Sequence, residues 1–161
     1  MKTLYESLLD DEEDLLDVET TVIQGLLNKE LLLQSRDIFY NDVKRSSKKI
    51  RGVTSDKIKN DQIFQPKKVY VLFRPKYPEQ ITLLYKPDRT HGLCQMNTSY
   101  ARSKSPSGYY YRWVTGHSYL RIVSMWYDRT YELYELPEKY YPLWDAIHKK
   151  INPTDKEFDI K

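Results

Sequence analysis

Apolar residues recur at three- and four-residue steps through the first part of the chain, between residues 4 and 46. The repeating positions are Leu15, Leu16, Val22, Ile23, Leu26, Leu27, Leu31 and Leu32. This spacing predicts an amphipathic α-helix, in which Gly25 marks a break or a close helix contact. Because a third leucine, Leu33, widens the apolar stripe, we expect the helix to be buried against the rest of the chain or against a second chain.

The second half of the chain changes to the alternating pattern that is typical of β-strands. Residues 68–74 and 80–86 predict a hairpin across a loop bracketed by two prolines, and residues 93–99 predict a weaker strand. Residues 108–136 predict three more short strands, dense in Tyr and Trp. The middle one, at 119–127, is largely apolar on both faces, so we expect a central strand there.

A helix is predicted after the strands, because Pro142 suits a first helical turn and Leu143, Ile147 and Ile151 follow at four-residue spacing. The element order predicts an α+β fold: an N-terminal amphipathic helix, an antiparallel meander of five to six strands, and a C-terminal helix packed on the sheet. The predicted segments are an acidic helical segment at 1–46, a basic linker at 47–65, the sheet with its C-terminal helix at 66–152, and a loose polar tail at 153–161.

Charge is distributed unevenly along the chain. Residues 1–40 hold three basic and ten acidic residues, a net charge of −7, whereas the remainder holds 23 basic and 13 acidic residues, a net charge of +10. This asymmetry indicates either an acidic arm that folds on a basic body or separate partners for the two halves.

The composition favours a soluble cytoplasmic protein. No apolar run reaches the ~18 residues of a membrane span, and the acidic N-terminus lacks the basic region of a signal peptide. The single cysteine, Cys94, excludes an intramolecular disulfide, which fits a reducing compartment.

The most basic stretch lies at 44–59, with seven basic residues and one acidic residue. Its few large apolar residues favour a solvated linker or a frayed helix end. The alternative is a nucleic-acid contact through Lys48, Lys49 and Arg51, because cationic side chains bind phosphates.

Aromatic and basic residues interleave in the stretch 109–113, next to a loop that carries more cations. Packing of these aromatics in the core is the ordinary interpretation. As a binding surface, the stretch predicts contacts to a protein partner through Tyr110, Arg112, Arg102, Lys104 and His117, because Tyr and Arg are enriched in interface hot spots. Tyr110 and Arg112 would also serve single-stranded nucleic acid, by stacking and by charge. Strand alternation places Trp113 on the face opposite to these two residues.

No arrangement of residues indicates catalysis, a metal site or a cofactor. Cys94 with His91 or His117 has no diagnostic spacing. Arg121 lies in an apolar strand and needs an acidic partner, for which Glu132 on the next predicted strand is the candidate. Whether His117, Arg121 and Glu132 form a site or a structural network stays open at this point.

The opening MKTLYESLLDDEEDLL resembles the first residues of small uncharacterised proteins of Bacteroidota and their phages. The resemblance covers about a tenth of the chain and implies an origin rather than an activity. The basic body is also similar to small ribosome-dependent RNase toxins. Those proteins place two helices after the first strand, where this chain has two consecutive strands.

These observations predict a small non-enzymatic protein-binding module that acts by occupancy, such as a phage-encoded inhibitor or an assembly factor in the host cytoplasm. The first alternative is a protein that binds single-stranded RNA or DNA with stacking aromatics and a basic rim. The second alternative is a small basic RNase-like enzyme. The partner is expected to be a protein, with no membrane contact, and a homo-oligomer would form through the N-terminal helix.

Overall fold

The computed structural model describes residues 18–28, 30–53, 56–57, 63–75, 80–89, 94–102, 109–115, 131–151, 154 and 156–160. Everything reported below refers to these residues. Of the predicted elements, the helical turns before residue 18 and the strand at 119–127 lie outside them.

The predicted N-terminal helical stripe forms two helices, α1 (Val18–Leu26) and α2 (Leu32–Ser46). The break follows Gly25, whose carbonyl accepts a hydrogen bond from the Asn28 amide at 3.2 Å. The side-chain oxygen of Asn28 in turn accepts one from the Glu30 amide at 2.8 Å. Asn side chains compete in this way with the helical hydrogen bonds of the backbone, so the chain turns here although the leucine spacing continues.

The strands are β1 (Val69–Phe73), β2 (Ile81–Tyr85), β3 (Cys94–Arg102), β4 (Tyr109–Thr115) and β5 (Glu132–Glu135). They form an antiparallel sheet in the order β4-β3-β2-β1-β5. The prediction of a simple meander is therefore wrong at β5, which returns to pair with β1 instead of extending the sheet beyond β4. The predicted number of strands is not confirmed, since 119–127 lies outside the described residues.

One face of the sheet, which we call the helix face, packs against α1, α2 and the C-terminal helix α3 (Tyr141–Ile151). Phe39 of α2 contacts Phe73 of β1 edge-on at 5.5 Å and Tyr140 at 4.9 Å, between ring centroids. The N-terminal helices thus pack on their own chain. The buried members of this cluster are Val22, Leu26, Phe39, Val43, Val69, Val71, Phe73, Ile81, Leu83, Tyr85, Met96, Tyr134, Leu136, Tyr140, Leu143, Trp144 and Ile147.

The opposite face of the sheet, which we call the second face, is covered by irregular chain. Its buried residues are Phe64, Tyr70, Leu72, Leu84, Tyr131 and Leu133, and Ile50, Val53 and Ile63 pack against them. Residues 50–53 and 63–64 therefore belong to the packed body, although their composition predicts a solvated linker. Coverage on both sides explains why all five residues of β1 and all five of β2 are buried.

The predicted polar tail folds back onto α3. Trp144 donates its indole N–H to the carbonyl of Phe158 at 2.9 Å, and the Ile160 amide donates to Asp145 at 2.7 Å. Phe158 and Ile160 also pack against the helix-face cluster. The expectation of a loose tail is wrong for these residues because two apolar side chains anchor it.

The α+β class, the antiparallel sheet and the helices toward both ends of the chain are confirmed. Trp113 packs against the helix-face cluster and donates its indole N–H to the carbonyl of Leu26 at 2.9 Å. This contact ties β4 to the end of α1.

Candidate functional site

The basic stretch after α2 runs along the outer edge of β5. The Ser47 hydroxyl and the Ile50 amide each donate a hydrogen bond of 2.8 Å to β5, to the carbonyls of Glu135 and Leu133 respectively. Lys49 forms an isolated antiparallel bridge with the same strand. Since β1 occupies the other side of β5, these contacts hold the basic backbone against the free side of the strand.

Between residues 44 and 51, five cationic side chains are exposed: Lys44, Arg45, Lys48, Lys49 and Arg51. We call this surface the cationic edge. Lys44 and Arg45 lie in the last turn of α2, where the partial negative charge of a helix C-terminus stabilises cations. Within the described part of the chain, Lys48, Lys49 and Arg51 form no ion pair, so their charges face solvent.

An open groove of about 590 Å³ lies on α2, at the end of the cationic edge that Lys44 and Arg45 form. Ile38, Asn41, Lys44 and Arg45 line it. Ile38 is half-buried and offers an apolar surface, whereas Asn41 adds an amide that both donates and accepts hydrogen bonds. The groove therefore combines cations for a phosphate with a surface against which a flat ring can pack.

Glu132 of β5 lies behind the cationic edge and is held by two tyrosines. Tyr40 donates its hydroxyl to one carboxylate oxygen at 2.7 Å, and Tyr134 donates to the other at 2.6 Å. Burial alone raises the pKa of Glu132, but the two hydroxyls, together with Lys49 and Lys44, bring it below its ordinary value. Burial and the bond to Glu132 raise the pKa of both tyrosines, so the hydroxyls stay protonated and donate.

Asp42 of α2 is satisfied in a similar way on the other side of the helix. The hydroxyl of Tyr140 donates a short hydrogen bond to it, and the Lys139 ammonium lies 2.8 Å from the same oxygen. Arg45 lies 3.6 Å from the second oxygen. Burial raises the pKa of Asp42, but Lys139, Tyr140 and Arg45 outweigh it and hold the pKa below its ordinary value.

The chemistry of this arrangement favours binding over proton transfer. A general base works best with a pKa near the operating pH, whereas the pKa of Glu132 is lowered and both of its oxygens accept hydrogen bonds. Because Glu132 and Asp42 are paired internally, most of the exposed cations beside them remain available to an external anion.

Three of the residues predicted to contact a protein partner lie toward the opposite edge of the sheet from β5: Arg102 in β3, and Tyr110 and Arg112 in β4. In the β3–β4 register, Tyr110 is opposite Ala101 and Arg112 is opposite Ser99, whereas Arg102 is opposite Tyr109. Arg102 thus occupies the alternate set of positions from Tyr110 and Arg112. The side chains of these three residues, and the whole of Lys104 and His117, lie outside the described part of the structure, so this site stays a prediction.

The remaining candidates divide between described and undescribed residues. Cys94 is half-buried and packs against the helix-face cluster, while His91 and His117 lie outside the described residues. The proposed partner of Glu132, Arg121, also lies outside them. The hydroxyls of Tyr40 and Tyr134 are the described hydrogen-bond partners of Glu132, and these contacts had not been predicted.

Two features of the site could not be predicted from the sequence pattern. Tyr40 and Glu132 are 92 residues apart, so nothing local connects them. The sequence contains one weak indication that the basic stretch packs on the body, namely the isolated apolar residues Ile50 and Val53 among the cations.

The described residues contain no group of His, Cys, Asp and Glu that could hold a metal ion. Likewise, none of the described helices has both the length and the apolar character needed to cross a membrane. No protein-family model, curated protein or solved structure matches the chain.

Proposed function

We propose that the protein binds single-stranded nucleic acid by occupancy, without chemistry, and that the cationic edge contacts its phosphates. The observation that carries the proposal is the fixed position of this edge. The exposed cations are Lys48, Lys49 and Arg51. Hydrogen bonds from Ser47 and Ile50 hold the backbone of this segment against β5.

Anchoring matters because a disordered basic linker loses conformational entropy when it binds. A backbone that is already held against a strand loses less, so the same charges bind phosphates with higher affinity. The groove beside Lys44 and Arg45 supports a single strand rather than a duplex, because an unpaired base can pack beside its own phosphate there.

A protein partner that contacts Tyr110 and Arg112 was the leading interpretation of the sequence. We favour nucleic acid because the structure describes the exposure and the neighbours of the cationic side chains. The protein-partner prediction rests on side chains that it does not describe.

The test is fluorescence anisotropy with labelled oligonucleotides of about 15 nucleotides, single-stranded and duplex, over a range of salt concentrations. We expect binding to the single strand at ~50 mM salt, with an affinity that falls steeply as salt increases, because phosphate binding releases counterions. The triple variant Lys48→Gln, Lys49→Gln, Arg51→Gln should lower the slope of log K against log salt by about 0.7 for each phosphate that is no longer neutralised.

The matched control is Lys149→Gln, Lys150→Gln, Lys156→Gln. These three lysines are exposed on α3 and the tail, so the variant removes the same net charge from another surface. The control should bind with nearly the wild-type slope. An absence of binding at ~50 mM salt, or equal slopes for the two triple variants, would contradict the proposal. An equal affinity for the duplex would contradict its single-stranded part.

A further inference from the structure

Arg36 of α2 is buried, although an arginine is seldom found in such a place. Its side chain is 5% exposed, and it belongs to the buried stripe of the helix with Leu32, Phe39 and Val43. The guanidinium carbon lies 4.9 Å from the ring centroid of Tyr40 and 5.7 Å from that of Phe73. These two rings stabilise the cation through their faces, but they accept none of its in-plane hydrogen bonds.

The hydrogen bonds of the Arg36 guanidinium are incomplete. Nη1 donates to Asp37 at 3.3 Å, and the Asp37 side chain is 69% exposed, so this is a weak surface pair. Nε and Nη2 are buried and have no hydrogen-bond partner. A buried charged group whose hydrogen bonds are incomplete destabilises a protein unless something compensates it.

The two unpartnered nitrogens lie on the same edge of the guanidinium. Their N–H groups form the planar fork that binds a carboxylate or a phosphate through two parallel hydrogen bonds. Lys44, whose ammonium lies 5.1 Å from the ring of Tyr40, adds positive potential on the same helix. The contact of Nη1 with the exposed Asp37 places one end of the guanidinium near the surface, whereas the Nε–Nη2 edge itself is buried.

We propose that the Nε–Nη2 edge of Arg36 is a binding site for the oxyanion of a small molecule, a carboxylate or a phosphate group. The Arg36 guanidinium is not part of the cationic edge, and the proposal does not depend on nucleic-acid binding. The bound anion completes the hydrogen bonds of Arg36 and neutralises its charge, so binding stabilises the fold.

The test is thermal unfolding of the wild-type protein in inorganic phosphate, in acetate and in sodium chloride at matched ionic strength. We expect Tm to rise by about 3–6 °C at roughly ten times the dissociation constant of the bound anion, with chloride producing a smaller rise that does not saturate. A response to phosphate alone identifies a phosphate-bearing ligand, and a response to acetate identifies a carboxylate.

The decisive variant is Arg36→Lys, which keeps the charge and removes the fork. The variant should bind the anion with a dissociation constant at least ~10-fold larger, because a charged hydrogen bond is removed. Arg89→Lys makes the same chemical change at an exposed position after β2, outside the cationic edge, and should respond like the wild type.

A second measurement applies to the wild type even if Arg36→Lys does not fold. The Nε–Hε NMR signal of Arg36 should shift on titration with the active anion, while that of the exposed Arg89 stays nearly unchanged. A Tm response that equals that of chloride, one that persists in Arg36→Lys, or an Arg36 signal that does not move would overturn the proposal.

Discussion

The two faces of the sheet are buried by different kinds of structure. The helix face packs against three helices, whose apolar stripes supply many of its buried residues. The second face is smaller, and much of its cover is irregular chain from residues 50–53 and 63–64. Leu83 and Leu84 make the contrast concrete, since these consecutive residues of β2 are both fully buried but belong to different faces.

We therefore expect the two covers to differ in rigidity, although Leu83 and Leu84 beneath them are equally buried. A helix is held by its own hydrogen bonds and cannot easily move into a space vacated beneath it, whereas an irregular segment has fewer constraints. Residues 48–51 of the cationic edge lie in irregular chain, and the hydrogen bonds of Ser47 and Ile50 to β5 hold this part in position.

The largest expected effect comes from the leucine pair. Leu83→Ala should lower the free energy of unfolding by about 4–5 kcal/mol, near the upper end for such changes, because the helices cannot collapse into the cavity. Leu84→Ala should lower it by about 2–3 kcal/mol, because the irregular cover can move inward. Urea unfolding measures both values. The residue type, the strand and the burial are matched, so an equal or larger destabilisation by Leu84→Ala would contradict the comparison.

A smaller effect is expected from Glu132, which connects α2 to β5 on the helix face. Its pKa is lowered in the folded protein, so its carboxylate contributes stability above the unfolded pKa, and that contribution is lost as pH falls through the folded value. The free energy of unfolding should therefore decrease between about pH 5 and pH 3. Glu132→Gln should show a weaker dependence over this range.

Glu135→Gln is the control for this pH experiment. Glu135 lies on the same strand, and its ion pair with Lys68 is partly exposed, with 3.1 Å between the charged atoms. Equal pH dependence of Glu132→Gln and the wild type would show that the two tyrosine hydroxyls do not stabilise the ionised carboxylate.

The smallest expected effect concerns the anchoring of the cationic edge. Ser47→Ala removes one hydrogen bond to β5 and should lower global stability by only ~1 kcal/mol. Hydrogen exchange at the Ile50 amide should nevertheless become faster, because this amide is held by the neighbouring bond to Leu133. Exchange in β1 should stay nearly constant. Unchanged exchange at Ile50 would mean that Ser47 does not hold the segment.

The sequence predictions were more accurate for elements with a local pattern than for features without one. The hairpin of 68–74 and 80–86 and the helix after Pro142 were predicted close to their observed bounds, because each has a local period and a proline at its boundary. The sequence predicted either a break or a close helix contact at Gly25, and the turn between α1 and α2 follows it, at Asn28. Leucines continue across it at helical spacing, so periodicity alone could not locate it.

The candidate site was predictable only in part. The cations of the edge are visible as a charge run in the sequence, and Lys48, Lys49 and Arg51 were named from it. Their anchoring to β5 was not predictable, because it depends on a strand that begins more than 80 residues later in the chain. The buried position of Arg36 was missed because an amphipathic pattern counts arginine as a surface residue.

Local periodicity was sufficient for the class of the fold, the helical stripes and most strands, since side chains three or four residues apart share a helix face and alternate residues share a strand face. The placement of β5 beside β1, the cover of the second face and the pairing of Tyr40 with Glu132 depend on the tertiary structure. Each joins segments that are distant in the chain, and the free energy that selects them comes from packing and hydrogen bonds formed only after the segments meet.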